Sequence, residues 1–166
     1  MADAIGRPVR ASTLEMTELV LPNDTNQLGN LLGGRLMHWI DIAAAIAAMK
    51  HTRLVCVTAS VDSMNFHAPI KLGQMVVLKA SVNRVFRTSM EVGVRVDVED
   101  LRAGTTAHAN TAYLTFVGVD SAGNPLAAEP VIPETDDEAR RFEAAGIRRQ
   151  GRLENRTRIA ALGRGE

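Results

Sequence analysis

The chain has 166 residues, 46% of them hydrophobic, which suits one domain with a core of its own. Its 19 Lys and Arg balance 19 Asp and Glu, so it lacks the excess positive charge that nucleic-acid binders carry, and DNA or RNA is not expected as a partner. The lone Cys56 rules out a disulfide framework and a thiolate-rich metal site, and no apolar leader or membrane-spanning run is evident, so a cytoplasmic protein without membrane attachment is expected.

Residues 1–12 read as a frayed lead-in to a first strand near Thr13 to Leu21, ended by Pro22, Asn23 and Asp24. A loop carrying Gly29, Gly33 and Gly34 follows. Leu36, Ile40, Ala43, Ala44, Ala47 and Ala48 then recur at helical spacing, predicting a helix over Arg35 to Lys50. Its short side chains suit close wrapping by a sheet. Val55 to Phe66 reads as a strand, and Val76 to Phe86 and the run from Met90 both alternate apolar with polar residues. Only Arg87, Thr88 and Ser89 separate that pair, and Arg102 to Gly104 lead into another strand at Thr105 to Val119, so an antiparallel meander is predicted. Strand, long helix and four further strands make an α+β fold. Pro125, Pro130 and Pro133 then precede a tail with eight Arg, in which Thr135 and the acidic turn Asp136 to Glu138 predict a short helix weakened by Gly146 and Gly151. Those arginines could serve an anionic ligand.

Asp41 carries the strongest chemical signal. Its helical neighbours Met37, His38, Ala44 and Ala45 are largely apolar, and a carboxylate in such a setting needs a partner or a function such as general base or nucleophile. A carboxylate satisfied by backbone at a subunit contact is the alternative. Gly33 and Gly34 deliver the chain into the helix, so unpaired amides and the positive dipole end face whatever docks there, as an oxyanion does. Two glycines that merely permit close packing are the other reading. Asn26 has donors and an acceptor suited to positioning a water or a carbonyl, although Asn23-Asp24-Thr25-Asn26 is also ordinary turn chemistry. His38 lies one turn before Asp41 and ranks behind it. No triad grammar, P-loop or metal-ligand cluster emerges, so no metal is implied.

Three segments resemble the hotdog-fold acyl-CoA hydrolases, which include cytosolic brain-type enzymes and bacterial broad-range relatives. They are Pro22-Asn23-Asp24-Thr25-Asn26-x-x-Gly29-x-x-x-Gly33-Gly34 with Trp39-Ile40-Asp41-x-Ala43-Ala44, then Phe66-His67-Ala68-Pro69-Ile70-x-x-Gly73, then Arg87-Thr88-Ser89-Met90-Glu91-Val92. The resemblance implies a hotdog domain over residues 1–123, a long central helix wrapped by an antiparallel β-sheet, with a Pro-rich linker and Arg-rich helical extension over 124–166. It implies hydrolysis of acyl-CoA thioesters to fatty acid and CoA in a homodimer of continuous sheet, commonly a trimer of such dimers. Asp41 falls on the family's catalytic carboxylate and Asn26 on its catalytic Asn, the two coming from opposite subunits, with Gly33 and Gly34 polarising the thioester carbonyl. Arg87, Thr88 and Ser89 fall near the CoA pyrophosphate or nucleotide. No cofactor is implied, since CoA is part of substrate and product. A hotdog dehydratase would need a catalytic His in a His-Phe-Pro type motif, and His67 has other neighbours; a non-catalytic acyl-CoA-binding or sensing module is the alternative reading.

Overall fold

The computed structural model of the chain describes residues 6–66 and 68–162. His67 and the Arg164 of the tail lie outside the described residues, as do 1–5 of the expected lead-in. The elements run β1 (Arg7–Pro8), β2 (Leu14–Leu19), α1 (Gly33–Thr52), β3 (Val55–Val61), β4 (Met75–Val85), β5 (Ser89–Asp100), β6 (Thr105–Val119), β7 (Val131–Ile132) and α2 (Asp136–Leu162). Five strands form an antiparallel sheet in the order β2-β4-β5-β6-β3, so the expected meander stands at its centre.

The sheet curls around α1 because each face does a different job. Val76, Leu78, Ala80 and Val82 of β4 and Met90, Val92, Val94 and Val96 of β5 alternate inward, and all are buried. They meet Ala43, Ala44, Ala47 and Ala48, whose exposure is 0%. Methyl side chains let the strands approach the helix backbone closely, and a larger residue here would overpack the core. Leu36, Ile40, Leu114 and Phe116 complete this layer.

Residues 6–12 are ordered rather than frayed. Arg7 and Pro8 pair in parallel with Val131 and Ile132, and the buried Ser12 hydroxyl donates to the Val9 carbonyl (2.7 Å) while accepting from the Val82 amide (2.9 Å). The second correction concerns the tail: α2 runs for 27 residues instead of one short helix. It crosses the outer face of the sheet, where Arg84 of β4 donates to the Phe142 carbonyl and stacks on the Phe142 ring, and where Arg148 lies 3.6 Å from the Tyr113 ring centroid of β6. Gly146, expected to weaken the helix, sits where an added Cβ would collide with the Arg84 guanidinium. Long-range docking thus supplies the order that local propensity withholds.

His51, in the last turn of α1, is fully buried, and its Nε2 donates to the Glu129 carbonyl at 2.9 Å. Its Nδ1 has no partner among the described residues. Burial, against the opposing pull of that carbonyl, holds the imidazole pKa below its ordinary 6.5. The folded protein therefore binds fewer protons here than the unfolded chain, so this stabilisation is complete above 6.5 and is lost as pH falls through the lowered value. Calorimetric melting between about pH 7.5 and pH 5.5 is expected to show stability falling by at most about 1.4 kcal/mol per pH unit from this group, a slope that His51→Phe removes.

Candidate active site

Asn26 stands in a loop tied tightly to itself. Its Oδ1 accepts from the Leu28 amide (2.9 Å) and the Asn30 amide (3.2 Å), and its own amide donates to the Asn30 carbonyl at 2.8 Å. The turn reading of this residue therefore holds, yet it leaves Nδ2 without a partner among the described residues, a free donor pair on a fixed side chain. The loop is anchored by the Leu31 amide on the Ile70 carbonyl (2.7 Å) and by an Arg35–Asp24 ion pair (3.0 Å).

That loop feeds the start of α1, whose first residues are Gly33 and Gly34 behind Leu32. No side chain caps this end and no acidic residue occupies its first turn. Arg35 and Leu36 bond back to the Leu32 carbonyl, leaving the Gly33 and Gly34 amides unspent among the described residues. A Cβ on Gly33 would touch the Phe66 ring at 3.5 Å, whereas nothing stands within 4 Å of one on Gly34. Asn26, Gly33, Leu36, Phe66, Pro69 and Ile70 line a cavity of about 310 Å³, polar at the amide end and apolar along Leu36, Phe66 and Ile70. Phe66 comes from the far end of the segment after β3, and no local pattern in the sequence marks it as a wall of this cavity.

Asp41 does not line that cavity. Eight residues further along α1, it lies about 12 Å from Gly33 by helical rise. It is half-buried rather than enclosed by apolar side chains, because it looks toward β3 at the sheet's edge. The Thr58 hydroxyl donates to its Oδ1 at 2.7 Å. Register with β6 slips between Thr58 and Ser60, and such a bulge re-aims the side chains beside it. Thr58 was missed by sequence reasoning, since a hydroxyl among the valines of β3 has no periodic signature. His38 is exposed and makes no hydrogen bond to Asp41. A single chain therefore presents amide donors at one place and a held carboxylate at another, both at its surface.

Arg87, Thr88 and Ser89 form the β4–β5 turn, closed by the Phe86 amide on the Ser89 carbonyl (2.8 Å). Arg87 is exposed, while the Ser89 hydroxyl accepts from Arg149 of α2 at 3.1 Å. Among the described residues no group of His, Cys, Asp and Glu could hold a metal ion, and no helix is long and apolar enough to cross a membrane.

A family model of the thioesterase superfamily matches residues 28–105. The chain is 41% identical, over 90% of its length and 86% of the relative's, to an uncharacterized acyl-CoA thioester hydrolase of Bacillus subtilis. It also matches two longer mouse thioesterases, of which it spans 23% to 25%. Among solved structures, an apo-hexameric acyl-CoA thioesterase superposes with a TM-score of 0.84 at 42% identity, covering 93% of this chain and 97% of the other. The acyl-CoA hydrolase of Staphylococcus aureus, solved with butyryl coenzyme A and coenzyme A, superposes with a TM-score of 0.83 at 36% identity, covering 95% and 98%. Structures of that enzyme also exist with alanine in place of an Asn, an Asp and a Thr, at the sequence intervals that separate Asn26, Asp41 and Thr58 here. With this fold and these identities, the chain belongs to the thioesterase superfamily, among its acyl-CoA thioester hydrolases.

Proposed function

We propose that the chain hydrolyses acyl-CoA thioesters at a site built from two copies, with the uncapped Gly33–Gly34 end of α1 and its unspent amides as the observation that carries this reading. The thioester carbonyl oxygen sits against those amides, and the negative charge that develops on it during attack meets oriented N–H groups and the positive end of the helix. Asp41 either takes a proton from water, so that hydroxide adds to the carbonyl carbon, or adds its own oxygen to form an anhydride that water then cleaves. In both routes the C–S bond breaks and CoA leaves as the thiolate, which takes up a proton. Asn26 supplies its free Nδ2 donors to the carbonyl or the water. The acyl chain follows the apolar wall of Leu36, Phe66 and Ile70.

Two copies are needed because Asn26 and Asp41 lie apart within one chain. Support for a partner comes from β3, an edge strand exposing Val55, Val57 and Val61, which isolated proteins rarely leave unpaired. Pairing of β3 with β3 of a second copy makes a continuous-sheet dimer, and three such dimers make the hexamer that one similar thioesterase forms. Arg87 and Thr88 serve the CoA pyrophosphate at the rim. The chemistry runs on side chains and water without a metal or cofactor, and the free thiol of Cys56 suits a reducing cytoplasm.

Release of CoA thiol from acyl-CoAs of increasing chain length tests this reading; absence of turnover on all of them would leave a binding module instead. Thr58→Ala, which frees the Asp41 carboxylate from the Thr58 hydroxyl, is expected to lower kcat about tenfold. Thr58→Ser restores the hydroxyl and is expected to recover most of the loss; equal defects in both variants would separate Thr58 from Asp41 function.

A further inference from the structure

Between α2 and the outer face of the sheet lies a cleft of about 370 Å³, lined by Arg149, Arg152 and Arg156 together with Ser60, Ser89 and Thr115. The three arginines fall at i, i+3 and i+7, one face of the helix, spread over about 10 Å along its axis. Carboxylates do not balance them. Arg148 and Arg152 share Glu91, and Arg152 also binds Asp62 (2.7 Å), which leaves four guanidiniums facing two carboxylates. Arg149 spends one donor on the Ser89 hydroxyl and stacks on Phe86 with its Cζ 4.2 Å from the ring centroid, which fixes its plane without neutralising it. Arg156 is exposed and has no ion-pair partner among the described residues. A second observation is independent of charge: the Thr115 hydroxyl at this cleft is buried and has no hydrogen-bond partner among the described residues.

We propose that this cleft is a phosphate site that takes a nucleotide phosphomonoester. Arg149 and Arg156 supply planar donors to its oxygens, and the Thr115 and Ser60 hydroxyls complete the shell. Burying the unpaired Thr115 hydroxyl and keeping like charges on one helix face both cost stability, and a bound dianion offsets both. The whole chain carries a net charge of 0, so attraction is local to the cleft and is screened by salt within about 10 Å. The phosphate has two possible sources, the nucleotide end of the acyl-CoA itself or a free nucleoside phosphate, and the first of these rests on the thioesterase reading above.

The test uses the full chain, with adenosine 3',5'-bisphosphate as probe, in titration calorimetry at low salt. Wild type is expected to bind it, Arg156→Gln to weaken binding about tenfold, and the double variant Arg149→Gln/Arg156→Gln to abolish it. Because Arg156 touches nothing that holds the fold, its variant reads the site rather than folding. Failure of wild type to bind at millimolar probe, or equal affinity in wild type and Arg156→Gln, overturns the proposal. Turnover then separates the sources. If Arg156→Gln raises KM for acyl-CoA by the factor seen in calorimetry, with no added penalty for acyl-pantetheine, the phosphate belongs to the substrate; if probe binding falls and KM for acyl-CoA does not move, it belongs to a free nucleotide. Binding of the probe by a wild type that hydrolyses no acyl-CoA sustains the site and sinks the thioesterase reading, and active enzyme that ignores the probe does the reverse.

Discussion

Replacing Asp41 with Asn is expected to lower kcat/KM for acyl-CoA at least about a thousandfold while leaving the fold intact. Both halves of that expectation follow from where the side chain sits. The carboxamide keeps an oxygen to accept the Thr58 hydroxyl, so the local geometry at 2.7 Å is preserved and the substituted side chain occupies nearly the same space. Asp41 is half-buried and lies outside the apolar layer on the inner face of α1, so thermal unfolding should shift by no more than about 1 kcal/mol. What disappears is the group that can bind a proton from water or attack the carbonyl carbon, and neither task is open to an amide. Thiol release under saturating acyl-CoA, with melting curves of both proteins, checks both halves. Residual activity above about a tenth of wild type would remove Asp41 from the chemical step and pass that role to water held by Asn26 alone. A single turnover of wild type in ¹⁸O water that leaves label in Asp41 would establish the anhydride route, since water attacking the anhydride at the Asp41 carbon labels the protein, whereas direct attack by activated water labels only the fatty acid.

How far this site could be read in advance depended on whether its residues signal through local pattern. The strands from Val76 and from Met90 and α1 were legible because alternation and a run of alanines at helical spacing arise from burial against one surface. The strand expected to reach Phe66 stops at Val61; the Asp62 amide still donates to the Tyr113 carbonyl of β6 at 3.0 Å, while its side chain turns to Arg152, a partner 90 residues away. The two-residue pairing of β1 with β7 carries no periodicity at all. Asn26, Gly33, Gly34 and Asp41 were visible because their residue types imply turn, helix entry and charge, and the resemblance added their order. Thr58 reaches Asp41 through a bulge, and Phe66, which entered only as part of a resemblance segment, reaches Gly33 across the chain fold, so neither contact was visible in the linear pattern. The long α2 was obscured for the same reason: Gly146 and Gly151 argue against a helix locally, while what holds it lies on the sheet.

That holding point is Glu91, and Glu91→Ala is expected to cost about 3–5 kcal/mol. The carboxylate is fully buried on the outer face of β5. It accepts from Arg148 at 2.6 Å, from Arg152 at 3.4 Å and from the Asn83 amide at 3.1 Å, while Gly93 leaves room for Asn83 to reach it. Burial works against the charge on Arg148, and its hydrogen bonds to Glu91 and the attraction of that carboxylate outweigh this, holding the guanidinium pKa above its ordinary value. Removing the carboxylate strands the Arg148 guanidinium and the Asn83 side-chain amide against the sheet and leaves Arg152 to Asp62 alone. The chain can respond by unfolding as a whole or by lifting α2 so that its arginines reach water, and the second path caps the cost at the energy of docking the helix. Melting curves compared at equal protein concentration should therefore drop by about 6–15 °C, and hydrogen exchange should rise first across residues 140–160, before the amides of β4 and β5. Glu91→Gln keeps the shape and one acceptor and should lose less than half as much. If Glu91→Ala melts within about 2 °C of wild type with α2 still protected, the helix is held by the Arg84–Phe142 and Arg149–Phe86 stacks instead. A lifted α2 would also scatter Arg149, Arg152 and Arg156, so the same variant should lose adenosine 3',5'-bisphosphate binding even though Glu91 itself repels phosphate, a sign opposite to what simple removal of a negative charge beside the cleft would produce.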